Sequence, residues 1–129
     1  MGDSGYPKPL WDDLSGNIDH SVADYMRDSG YDLRDYAQRN WVKIGPKLVG
    51  KLHFASGDMD ETQVTNSLYL LEDFLKSTSN PYYGGSFEYG RPMKGHEWRP
   101  TTQTVLVKSM AEQIAKHAPK DASTAWIYN

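Results

Sequence analysis

Apolar positions recur at helical spacing over four stretches of this chain, with short extended runs among them. Ile18, Val22, Tyr25 and Met26 share one helical face, which predicts a first helix from Asp19 that Gly30 ends. Leu33, Ala37, Trp41 and Ile44 form the stripe of a second helix from Asp32, with Gly45-Pro46 as its stop. Lys51–Ser56, carrying Leu52, Phe54 and Ala55 before Gly57, reads as a short buried strand. Residues 62–77 place Val64, Leu68, Leu71 and Leu75 on one face, the clearest amphipathic pattern in the chain. A turn-rich loop over 77–85 and a second short strand, Ser86–Tyr89, follow. Beyond a loop with Pro92, Gly95 and Pro100, a last helix is expected from Thr102 to Ala118, with Leu106, Met110 and Ile114 four apart and Pro119 as the stop.

Strands alternating with helices predict an α/β fold, a small sheet flanked by helices. The expected organisation is a single domain over 1–129: an irregular arm over 1–17 anchored by Leu10 and Trp11, an α/β body over 18–118, and a tail over 119–129. Two strands make a poor sheet by themselves, so self-association through an open edge is expected.

Composition narrows the classes. Apolar residues make up 38% of the 129, with nine Tyr and four Trp, which fits a globular chain rather than a disordered one. A net charge of −3 with no basic run argues against a nucleic-acid partner. The absence of cysteine excludes disulfides and thiolate metal sites. No apolar run approaches the ~18 residues that span a bilayer, and the start MGDSGYPKP lacks the apolar core of a signal peptide, so a soluble chain without membrane partners is expected.

The chemistry-bearing residues cluster behind the two strands. Asp58, Asp60 and Glu61 follow the first, and His96 follows the second after a short loop. In an α/β sheet ligands sit beyond the carboxyl ends of the strands. If the strands are parallel neighbours, a carboxylate can there accept the imidazole Nδ1 proton and leave Nε2 as a general base. Asp60-Glu61-Thr62-Gln63 also spells a capping box, and Asp58 with Glu61 repeats the signature, so a purely helix-starting role stands beside the catalytic one.

The stretch KLHFASGDMDETQVTNSLYLLEDFLKS, followed by FEYGRPMKGHEWRP, resembles the C-terminal part of an α/β-hydrolase of the esterase type. Gly57-Asp58-Met59-Asp60 matches the turn that supplies the triad acid in that family, and Gly95-His96-Glu97-Trp98 matches the segment that supplies the base. The resemblance implies hydrolysis of a small-molecule carboxylic ester without a cofactor or metal. It makes His96 the general base and acid, Asp60 its orienting acid, Asp58 the fallback acid, and Trp98 and Tyr83 substrate-binding residues. It also implies a homodimer or pairing with a missing N-terminal half, because the family's Gly-x-Ser-x-Gly elbow does not occur here. Gly2-Asp3-Ser4-Gly5 is the nearest string and follows no predicted strand; Ser56 and Ser86 are the serines nearest the expected rim in sequence.

Other readings compete. A truncated remnant could act as a non-catalytic interaction module. His53, Asp58, Asp60 and His96 could hold zinc or a harder cation at the same rim. Tyr82, Tyr83, Phe87, Tyr89, Trp98 and Trp126 could form a sugar- or aromatic-binding surface, or simply pack. His20 and His117 read as solvated helix residues, and Asp19, Asp24, Asp28, Asp32 and Asp35 as a solvated face.

Overall fold

The computed structural model describes residues 5–127, so Gly2, Asp3 and Ser4 of the nearest elbow-like string lie outside the described residues. The chain divides between Lys47 and Leu48 into two compact units.

In the first unit the arm is more ordered than its Gly, Pro and Asp content predicts. Asp12 Oδ1 accepts the N–H groups of Leu14 (3.1 Å) and Ser15 (2.7 Å), turning the chain so that Trp11 and Ile18 form an antiparallel bridge. Asp19 then caps α1 (His20–Asp28), its carboxylate accepting from the Ser21 N–H at 2.9 Å. The apolar stripe predicted for α1 is not buried: Tyr25 is 65% exposed. Asp32 starts α2 (Leu33–Leu48) by accepting from the Asp35 N–H. Gly45-Pro46 does not stop this helix. Pro46 sits in its last turn, where the missing N–H costs one bond on a solvated stretch. Gly45 is buried because the Trp41 indole folds over it; a Cβ there would meet Trp41 Cε2 at 2.8 Å.

The second unit holds β1 (His53–Gly57), α3 (Val64–Ser77), β2 (Ser86–Gly90), α4 (Gln103–Lys116) and a 3₁₀ turn (Ala125–Ile127). The strands are parallel, with His53 opposite Ser86 and Gly57 opposite Gly90. This is a small α/β arrangement. Phe54, Ser56, Phe87 and Tyr89 share one face, since side chains alternate along a strand. That face meets α3: Ser56 Oγ lies 2.7 Å from Thr65 Oγ1, and Tyr89 donates to Glu72 at 2.8 Å. Phe54 stacks on Phe87 with centroids 4.7 Å apart, and Leu75 of α3 is 1% exposed.

Within this unit the opposite face is open. His53, Ala55 and Glu88 on it are exposed, so β1 is buried only at Ser56 and Gly57 rather than along its length. The stripe on α4 is largely solvated as well, with Met110 at 56% and Ile114 at 59% exposure. α3 begins two residues later than its pattern predicts, after Gln63 in a left-handed conformation (φ 57°) that makes no side-chain cap. The capping boxes expected from Asp60 and Asp58 therefore do not form.

Candidate active site

Because the strands run parallel, the segments leaving Gly57 and Gly90 emerge at one rim. They are then laced together. Asp58 N–H donates to the Gly90 carbonyl (3.0 Å), and Met59 N–H to the Lys94 carbonyl (2.9 Å). Asp58 Oδ1 accepts from the Lys94 N–H at 2.8 Å, and Glu61 Oε2 accepts from the His96 N–H at 3.2 Å. The crossing is so close that a Cβ on Gly57 would lie 2.1 Å from the Lys94 carbonyl oxygen. Only glycine fits there.

This lacing delivers His96 to Asp60. The imidazole Nδ1 lies 2.9 Å from Asp60 Oδ2, across 36 residues of sequence. The Asp60 side chain is 5% exposed, whereas that of His96 is 51% exposed. Asp60 is itself fixed, because Oδ1 accepts from both the backbone N–H (2.8 Å) and the hydroxyl of Thr62. These two atoms satisfy one carboxylate oxygen and leave the other for the imidazole. An ionised carboxylate can only accept, so Nδ1 carries the proton and Nε2 keeps its lone pair.

The electrostatics follow the same contacts. The Thr62 hydroxyl, and then the His96 ring, hold the Asp60 carboxyl below its ordinary value. The Asp60 hydrogen bond and charge raise His96 above the usual histidine range. Backbone N–H groups, its own and that of His96, lower Glu61. Arg99 braces the far side of the loop by donating to the His96 (3.1 Å) and Trp98 (2.8 Å) carbonyls.

Of the other sequence-derived site residues, Asp58 holds the His96 loop by its backbone and does not reach the imidazole in place of Asp60. Trp98 is at the rim, but its ring lies on Gly90, where a Cβ would meet Trp98 Cδ2 at 2.3 Å. It packs the loop onto the strand end. Tyr83 is a correction. It precedes β2, at the end of the sheet away from the rim, and is 3% exposed among Tyr82 and Phe87, so it belongs to the core.

No family model, curated protein or solved structure matches the chain.

The serines and the metal reading are also decided by position. Ser56 is buried, 2.7 Å from Thr65 Oγ1 and donating to the Gly57 carbonyl, so its hydroxyl is committed to packing. Ser86 starts β2, four residues and about 13 Å of strand from Gly90. His53 lies opposite Ser86 at that same far end, so the four-residue metal set is split between two ends of the sheet. Among the described residues no three His, Asp or Glu side chains converge as ligands. Glu61 and Thr62 were missed as supports. Their signal was available: acidic and hydroxyl residues immediately after an acid turn are the groups that can fix it through local bonds.

Proposed function

We propose that this chain carries the acid–base half of a carboxylic-ester hydrolase acting on a small-molecule ester, with the nucleophile supplied by another polypeptide body. The supporting observation is the 2.9 Å contact between His96 Nδ1 and the anchored Asp60 carboxylate, with Nε2 left to take a proton. In this reading His96 Nε2 accepts the nucleophile's proton as the acyl carbon is attacked. Asp60 stabilises the imidazolium that forms, and the same proton passes to the departing alkoxide. His96 is the base and then the acid; Asp60 is a positioning residue.

A test needs no second body, because an exposed oriented imidazole assists hydrolysis of an activated ester by water. Purified chain should hydrolyse 4-nitrophenyl acetate faster than free imidazole at equal concentration. His96→Ala should lower that rate, and Asp60→Asn should lower it less. A His96→Ala protein as active as the wild type would overturn the assignment.

A second reading, a non-catalytic interaction module, is supported by exposed surface within the second unit, where Met110 is 56% and Ile114 59% exposed and the sheet face of His53, Ala55 and Glu88 is open. A partner laid along the sheet edge or that face, a second copy or a separate half, would cover it. Light scattering that finds a dimer, together with no His96-dependent hydrolysis, would favour the module.

A further inference from the structure

The open face of the sheet carries a second histidine whose hydrogen bonds determine its tautomer. His53 Nε2 lies 3.1 Å from the Gly50 carbonyl, and His53 Nδ1 lies 2.8 Å from Ser86 Oγ. A carbonyl oxygen only accepts, so Nε2 must carry the proton of the neutral ring. Nδ1 is then an acceptor, and the Ser86 hydroxyl must donate to it. A serine proton aimed at an imidazole, itself oriented by a third group, is the arrangement that activates a nucleophile.

The surroundings fix all three members. The Ser86 N–H is tied to the Leu52 carbonyl (3.1 Å), at the foot of the ladder. Gly50, in the left-handed region (φ 69°), donates its N–H to the Tyr83 carbonyl at 2.7 Å while its own carbonyl holds His53. His53 is exposed, and Ser86 is half-buried beside it, so a small reagent can approach from the open face. Titratable groups near it include Glu88, two residues along the same face, His117, whose ring approaches Gly50, and Lys51, next to Gly50 in the chain. An acid at Glu88 disfavours anionic acyl groups.

We propose that Ser86 and His53 form a second acyl-accepting site, independent of Asp60 and His96, that takes short uncharged carboxylic esters. Ser86 Oγ bonds to the acyl carbon, and its proton moves to His53 Nδ1. The ester C–O bond then breaks, and the alkoxide leaves with that proton. Water attacks the seryl ester in the same way, releasing the acid and restoring the hydroxyl.

The test is labelling of the full chain with a small fluorophosphonate, the adduct located by peptide mass spectrometry. Ser86 should be the modified serine, in wild type and in His96→Ala alike, and Ser86→Ala should lose the adduct. His53→Gln should slow labelling at least tenfold while the His96 ring resonance keeps its folded position. If that variant does not fold, His53→Asn serves, and labelling should slow by the same factor. An adduct elsewhere, no adduct on Ser86, or a rate indifferent to His53 would overturn the proposal. Because the probe reports a covalent serine, its outcome is separable from the His96-dependent hydrolysis above.

Discussion

The two ends of one short parallel sheet each hold a histidine by a ring nitrogen, and the partners differ in charge. At the carboxyl end, His96 faces the Asp60 carboxylate; at the amino end, His53 faces the neutral Gly50 carbonyl. Both partners fix a tautomer. The carboxylate, through its hydrogen bond and its charge, also favours the protonated ring and raises His96 above its ordinary value. Orientation is supplied at both ends of this sheet, and a charged partner at one.

The strongest way to break the comparison is to add one methyl at either end. Gly57→Ala would drive a Cβ into the Lys94 carbonyl, and Gly85→Ala would drive one into the Leu52 carbonyl at 1.9 Å. Each should cost about 3 kcal/mol or more, measured by urea unfolding, since backbone cannot yield as a side-chain tip can. In whatever native population remains, Gly57→Ala should abolish the elevated His96 titration and spare Ser86. Gly85→Ala should do the reverse.

A milder cut removes a buried bond. Ser56→Ala leaves Thr65 Oγ1 its bond to the Gly57 carbonyl at 2.7 Å, and should destabilise by about 1 kcal/mol without moving either histidine.

Charge alone is tested by Asp60→Asn. The amide cannot stabilise an imidazolium, so the His96 titration followed by NMR should fall towards the ordinary 6.5, with the His53 resonances unmoved. The stability consequence has a definite sign. His96 is raised, so its contribution is complete below 6.5 and is lost as pH climbs through the elevated value. Asp60 is lowered, so its contribution is complete above 3.8 and is lost as pH falls through the depressed value. The pair should stabilise most between those limits, and a pH series of unfolding midpoints should lose that maximum in Asp60→Asn. The smallest effects belong to Glu97 and Glu61, whose charges also favour protonated His96: Glu97→Gln and Glu61→Gln should each lower its titration by less than Asp60→Asn does.

The juxtaposition of Asp60 with His96 could be read before any coordinates because two glycine-marked turns follow two strand-like runs, and a parallel pairing leaves both turns at one rim. The helix stripes of α2 and α3 were readable for the same reason, a sustained period. Asp58 and Asp60 look alike by residue type, and the resemblance put Asp60 first; the path of the 91–98 loop gives Asp58 a backbone N–H and Asp60 the ring. What escaped depends on who faces whom. Tyr83 looked like a binding residue because aromatic content does not say which end of a strand it occupies. Pro46 looked like a stop because local rules weigh a lost bond without weighing the solvated position that absorbs it. The stripes of α1 and α4 located the helices but not their burial, which needs an opposing surface, and the described residues provide little.

Among the described residues, the large apolar side chains that are buried are Trp41, Leu75 and Tyr83. So small an interior ties the folding equilibrium of this chain to its surroundings. Any molecule that recognises only the native face, at a hundred times its dissociation constant, would add about 2.7 kcal/mol to the folded state. A melting temperature measured on dilute chain would then describe the dilution as much as the polypeptide.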